Sequence, residues 1–124
     1  MSMMNNYRKG WALRYLREAK AELIAAQKTP YLAPGLVLEA VRKAQAAIYY
    51  SFGDPAFIEV IVHQTLQGNQ LIKDPILRFL VEIERTVQQI AQTSKFESEK
   101  VIEQVDDLIQ LTSEIVELFT GESA

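Results

Sequence analysis

Leu38-Glu39-Ala40-Val41-Arg42-Lys43-Ala44-Gln45-Ala46-Ala47-Ile48 reads as a helix that a second helix can approach closely. Val37, Ala40, Ala44, Ala47 and Ser51 recur at helical spacing, with Val41 and Ile48 beside them. The alanines at 40, 44, 46 and 47 remove the bulk that keeps helix axes apart. Glu39 and Lys43 form an i,i+4 pair worth a few tenths of a kcal/mol. Pro34-Gly35 opens the segment, which runs to about Phe52, and Gly53 is placed to stop it. A helix of this kind needs partners, and the chain supplies them on both sides.

Upstream, Ala12, Leu16, Ala19, Leu23 and Ala26 step by alternating fours and threes, predicting a helix over about 7–27. Trp11 and Tyr15 widen its stripe, and Thr29-Pro30 stops it. Downstream, Asp54-Pro55 reads as an N-cap and first-turn proline. The segment Ala56–Leu66 is rich in strand-prone types but does not alternate with polar residues. It is read as a helix ending near Gly68-Asn69. Asp74-Pro75 repeats the cap signal before Ile76, Leu80, Ile83, Val87 and Ile90, a helix to about Gln92. Ser94-Lys95-Phe96-Glu97 has the form of a capping box. After it, Val101, Val105, Leu108, Thr112, Ile115 and Phe119 line a last helix that Gly121 ends. The short connection between the last two helices predicts an antiparallel hairpin. The expected fold is all-α: one domain over 1–124, an antiparallel up-and-down bundle of four to five helices. Residues 1–6 and 121–124 are expected to be flexible ends.

Bulk properties agree and narrow the chemistry. The chain has 124 residues, 48% hydrophobic and 23% charged, so it can bury about two-thirds of its unfolded surface. It has no cysteine, which excludes disulfides, thiolate metal sites and a thiol nucleophile. The sequence shows no membrane span and no secretory h-region, so a cytoplasmic protein is expected. Net charge is −3, but the halves differ. Residues 1–53 carry eight Lys/Arg against three acids, net +5; residues 54–124 carry five against thirteen, net −8. Such a split marks an interaction surface, or attraction between two halves or two copies.

Candidate site residues are few. His63 is the sole histidine, and Glu59 lies one turn before it; a di-metal bundle site needs far more ligands. No catalytic set, cofactor motif or metal motif stands out. Glu82 and Glu84 could serve acid–base chemistry only if one were buried beside a neighbour. Arg14, Arg17, Lys20, Arg42 and Lys43 form a candidate phosphate or nucleic-acid face if the first two helices are antiparallel. Trp11, Tyr15 and the Tyr49-Tyr50-Ser51-Phe52 run could stack bases, or be core or dimer contacts. The apolar density of 56–66 makes it the candidate interface, with Phe57, Ile61 and Leu66 as anchors.

The order of these segments resembles the HEPN superfamily of small helical bundles. Trp11 through Leu23 resembles that family's first helix, Leu38 through Ile48 its Ala-rich helix, and Ser98 through Phe119 its acidic closing helix. The family's ribonucleases carry an arginine separated from a histidine by four to six residues, at a dimer interface. Here the corresponding positions before His63 are Ile58, Phe57 and Ala56, so that activity does not carry over. The resemblance implies a non-catalytic member that pairs with itself or with a nucleotidyltransferase-type partner. The expected function is therefore a helical interaction module without a cofactor, a homodimer or partner subunit acting by protein–protein interaction. The alternative is an RNA- or nucleotide-binding protein using the basic face.

Overall fold

The computed structural model describes residues 5–68, 71–92 and 98–124. Among these the chain forms five α-helices and one short 3₁₀ turn, with no strand. They are α1 (Asn6–Lys28), α2 (Ala33–Phe52), α3 (Pro55–Gln67), α4 (Pro75–Gln92) and α5 (Ser98–Thr120). The all-α bundle is as expected, and the strand-prone run 56–66 is helical. The capping box 94–97 lies outside the described residues.

Local chemistry sets the boundaries. The Asn5 side chain accepts from the Arg8 N–H at 2.8 Å and starts α1, so Asn5 and Asn6, within the expected flexible end, take part in a helix start. Asp54 accepts from the Ala56 N–H at 2.9 Å, and Asp74 from the Ile76 N–H at 2.8 Å. Each carboxylate satisfies a donor that the first helical turn leaves free. Gly53 follows α2 with φ 168°, an extended conformation open to any residue, so its glycine character is not what stops the helix. Gly121 differs: its φ of +76° is left-handed, and its N–H donates to the Glu117 carbonyl at 2.8 Å.

Packing centres on α2. Its backbone lies closest to α1, and α3, α4 and α5 also rest on it. Ala12, Ala19 and Ala26 of α1 and Ala40, Ala44 and Ala47 of α2 are all at most 1% exposed. They form the seam that brings those two backbones together. Arg8 reaches the Tyr50 carbonyl and Lys43 reaches Glu22, so α1 and α2 are antiparallel. Phe52 and Phe119 meet edge to face at 4.6 Å, so the C-termini of α2 and α5 share one end. The main core joins Val37, Val41 and Ile48 to Leu80, Ile83, Val105 and Ile109. Through these residues α4 and α5 share the same core as α2.

Two details show how polar groups enter this core. Thr112 is fully buried in the apolar stripe of α5, and its hydroxyl donates to the Leu108 carbonyl at 2.8 Å. Residues 121–124, expected to be flexible, return to α1: Lys9 pairs with Glu122 at 2.9 Å, and Lys20 donates to the Ala124 carbonyl at 2.8 Å.

Candidate functional site

α3 has thirteen residues, eight of them apolar, yet only Val62 is fully buried. Asp54-Pro55 starts the helix directly after α2, so it lies against α2 and α4 rather than inside the bundle. Val62, Ile58 and Leu66 turn inward to the core. Phe57 and Val60 turn outward, 65% and 51% exposed, with half-buried Ile61 beside them. Leu66 thus belongs to the protomer's own packing, and Val60 joins Phe57 and Ile61 on the outward face. Glu59, His63 and Gln67 form one polar row, but apolar residues fill the remaining sides, so the sequence pattern does not mark Val60 as outward. Ile61 also lines an open groove of about 480 Å³ with Thr65, Leu71, Ile72 and Leu77, and Leu71 is 83% exposed. Glu59 and His63 are the only charged or titratable side chains on α3.

The five cations of the candidate phosphate face do not converge. Lys43 is bound to Glu22 at 2.5 Å, and Lys20 to Ala124 on the side of α5. Arg14 lies over the Trp11 ring at 5.0 Å and near Glu18 at 3.9 Å. Arg17 and Arg42 are exposed and make no hydrogen bond or ion pair among the described residues. Two free guanidiniums on separate helices are a weaker anchor for a phosphate chain than five neighbouring cations.

The Lys43–Glu22 pair sits on the α1–α2 seam with both side chains about one-quarter exposed. The hydrogen bond to Glu22 raises the Lys43 pKa above its ordinary 10.5, against the opposing effect of desolvation. Glu22 Oε2 is buried with no hydrogen-bond partner among the described residues. Removing only the lysine charge (Lys43→Met) should cost about 1–2 kcal/mol in urea unfolding, because a half-buried carboxylate loses its charge-assisted bond. The double variant Glu22→Leu/Lys43→Met should recover most of that loss, since it leaves no orphaned charge.

A polar junction ties α2, α3 and α4. The Gln45 amide donates to the Tyr49 hydroxyl at 3.1 Å and to Glu84 Oε1 at 2.7 Å. Gln88 donates to Glu84 Oε2 at 2.9 Å, and His63 Nε2 stands 3.9 Å from that oxygen. Both Glu84 oxygens are therefore engaged, while Glu82 is exposed near Arg85. The geometry makes Glu84 a tie between helices, not a carboxylate facing an open pocket. Among the described residues no three His, Asp or Glu side chains gather where they could hold a metal ion.

Burial, then the nearby Glu84 charge, raises the Tyr49 pKa well above 10.0. Burial also raises Tyr50, with Tyr7, Tyr15 and Asp54 adding to it. Lys43 shifts the same way. In each case the folded state holds a proton that the unfolded chain releases near its ordinary value, 10.0 or 10.5. Stability is therefore intact below pH 10 and falls as pH rises beyond it. The urea midpoint should be lower at pH 11 than at pH 9, and Tyr49→Phe should shrink that drop.

Comparison with protein-family models, with curated proteins and with solved structures finds no match to this chain. No helix of the described residues is long and apolar enough to cross a membrane.

Proposed function

We propose that the chain is a helical interaction module, acting by binding rather than catalysis, and that it pairs with a second copy of itself through the outward face of α3. The supporting observation is an apolar helix with one buried residue, whose Phe57 and Val60 remain mostly in water. Contiguous apolar surface of this kind marks interaction sites on soluble proteins. The choice of a second copy rests on charge. α3 contributes only Glu59 and His63, and the adjoining groove one base and one acid, Lys73 and Asp74, so the face carries little net charge to oppose its own image across a two-fold axis. The same axis lets Phe57 of one copy fill the shallow ground around Ile61 of the other.

Light scattering across a size-exclusion peak tests this. The expected mass is twice 14.1 kDa, falling on dilution if the pairing is weak. A mass of 14.1 kDa at every concentration overturns self-pairing. If that monomer gains mass with a nucleotidyltransferase-type protein, the face serves a partner subunit, as the HEPN resemblance implies.

A further inference from the structure

A second surface lies where the first turns of α1 meet the last turn of α2, and it stands independently of the α3 reading. Trp11, Tyr15 and Tyr50 gather there. Their ring centroids are 5.6 Å apart for Trp11–Tyr15, 6.3 Å for Trp11–Tyr50 and 6.0 Å for Tyr15–Tyr50. The planes agree within 30°. In a simple column the outer pair would be twice as far apart as its neighbours. Three nearly equal separations set the ring centroids at the corners of a triangle, with the planes inclined to one another by 30° or less. Tyr7 stands edge-on to Trp11 at 6.4 Å and is 68% exposed, forming a wall. All three other rings are partly exposed. Beside them an open cavity of about 370 Å³ is lined by Asn5, Tyr7, Arg8, Tyr50, Asp54 and Pro55.

The polar groups of these rings are donors without a partner among the described residues. The Trp11 indole N–H and the Tyr7, Tyr15 and Tyr50 hydroxyls make no hydrogen bond among the described residues. Charge is balanced: Arg8, Lys9 and Arg14 face Asp54, Glu122 and Glu18, with Lys9–Glu122 and Arg14–Glu18 directly paired. A polyanion gains little here. A neutral ligand with flat apolar rings and unsatisfied carbonyls gains from both features.

We propose that this aromatic surface is a docking site for a proline-rich segment in the polyproline II conformation. Such a segment has no internal hydrogen bonds, so its carbonyls are free to accept from the Trp11 and tyrosine donors. Its pyrrolidine rings pack on aromatic faces, and its ordering cost is low because the conformation is preformed. Two of its residues advance about 6.2 Å, close to the separation between adjacent rings here.

Trp11 is the sole tryptophan, so its fluorescence reports this surface directly. The full chain is titrated with a decaproline peptide, a Gly-Ser peptide of equal length and a thymidine oligonucleotide at low salt. The expected result is a saturable change with decaproline alone, weakened by about fivefold to tenfold in Tyr50→Ala and Tyr7→Ala. Tyr7→Ala removes a ring that is mostly in water, so it keeps the test valid if Tyr50→Ala fails to fold. No saturable change, an equal response to the Gly-Ser peptide, or indifference to both substitutions overturns the proposal. A salt-sensitive response to the oligonucleotide alone also overturns it and assigns the rings to base stacking.

Discussion

Phe57→Asp is expected to convert a dimer into a monomer at micromolar concentration while leaving helix content unchanged. The Phe57 ring is 65% exposed and contributes little to the protomer's own core, so its loss costs the fold little. At the proposed two-fold axis the same substitution acts twice. It removes two aromatic contacts and places two carboxylates in the interface, where α3 itself supplies no lysine or arginine. An unpaired charge in an interface costs several kcal/mol, enough to move a micromolar dimer beyond detection. Val60→Asp should act in the same direction, and Glu82→Ala, a single truncation on the exposed side of α4, should not. Light scattering reads the mass and circular dichroism the fold. A Phe57→Asp protein with unchanged mass would mean that any dimer uses another face.

The contrast between Phe57 and Leu66 shows where sequence reading reaches its limit. Four helices were legible because their apolar residues fall on one side: Leu16 and Leu23 are buried, and so are Leu80 and Ile83. Both Asp-Pro starts were legible because capping is a local event. α3 has one polar row, Glu59, His63 and Gln67, and apolar residues on its other sides, so its pattern does not separate the apolar side that packs from the one that does not. Only the third dimension shows Leu66 against the core and Val60 in water. The basic residues fail for a related reason. Helix spacing places Lys20 and Lys43 on neighbouring surfaces, but their partners come from far along the chain. Lys43 finds Glu22, 21 residues away, and Lys20 finds Ala124, 104 residues away. A pattern of cations predicts a patch only when nothing distant neutralises it. The aromatic surface was visible as residue types, yet its common ring orientation depends on how α1 crosses α2.

The buried side of α2 carries the largest expected effects on stability. Ala44 is fully buried at the centre of α2, within the main core. Ala44→Leu adds three carbons at that point. The helices must then separate or the leucine must leave its preferred rotamers, at about 1–3 kcal/mol. Separation would also loosen the neighbouring contacts of Ala12, Ala19 and Ala40, so the upper end of that range is expected. Ile48→Ala removes volume from the same helix and should cost about 2–5 kcal/mol, because close-packed neighbours cannot collapse into the gap. Ala46→Leu, two residues from Ala44 but only half-buried, should change stability by about 0.5 kcal/mol or less. Set against a total of about 5–15 kcal/mol, the two buried changes should each lower the urea midpoint by about 1 M or more. If Ala44→Leu were as harmless as Ala46→Leu, α2 would have room at its centre. The small residues there would then reflect helix propensity alone, and the close approach of α1 and α2 would not be what organises the bundle.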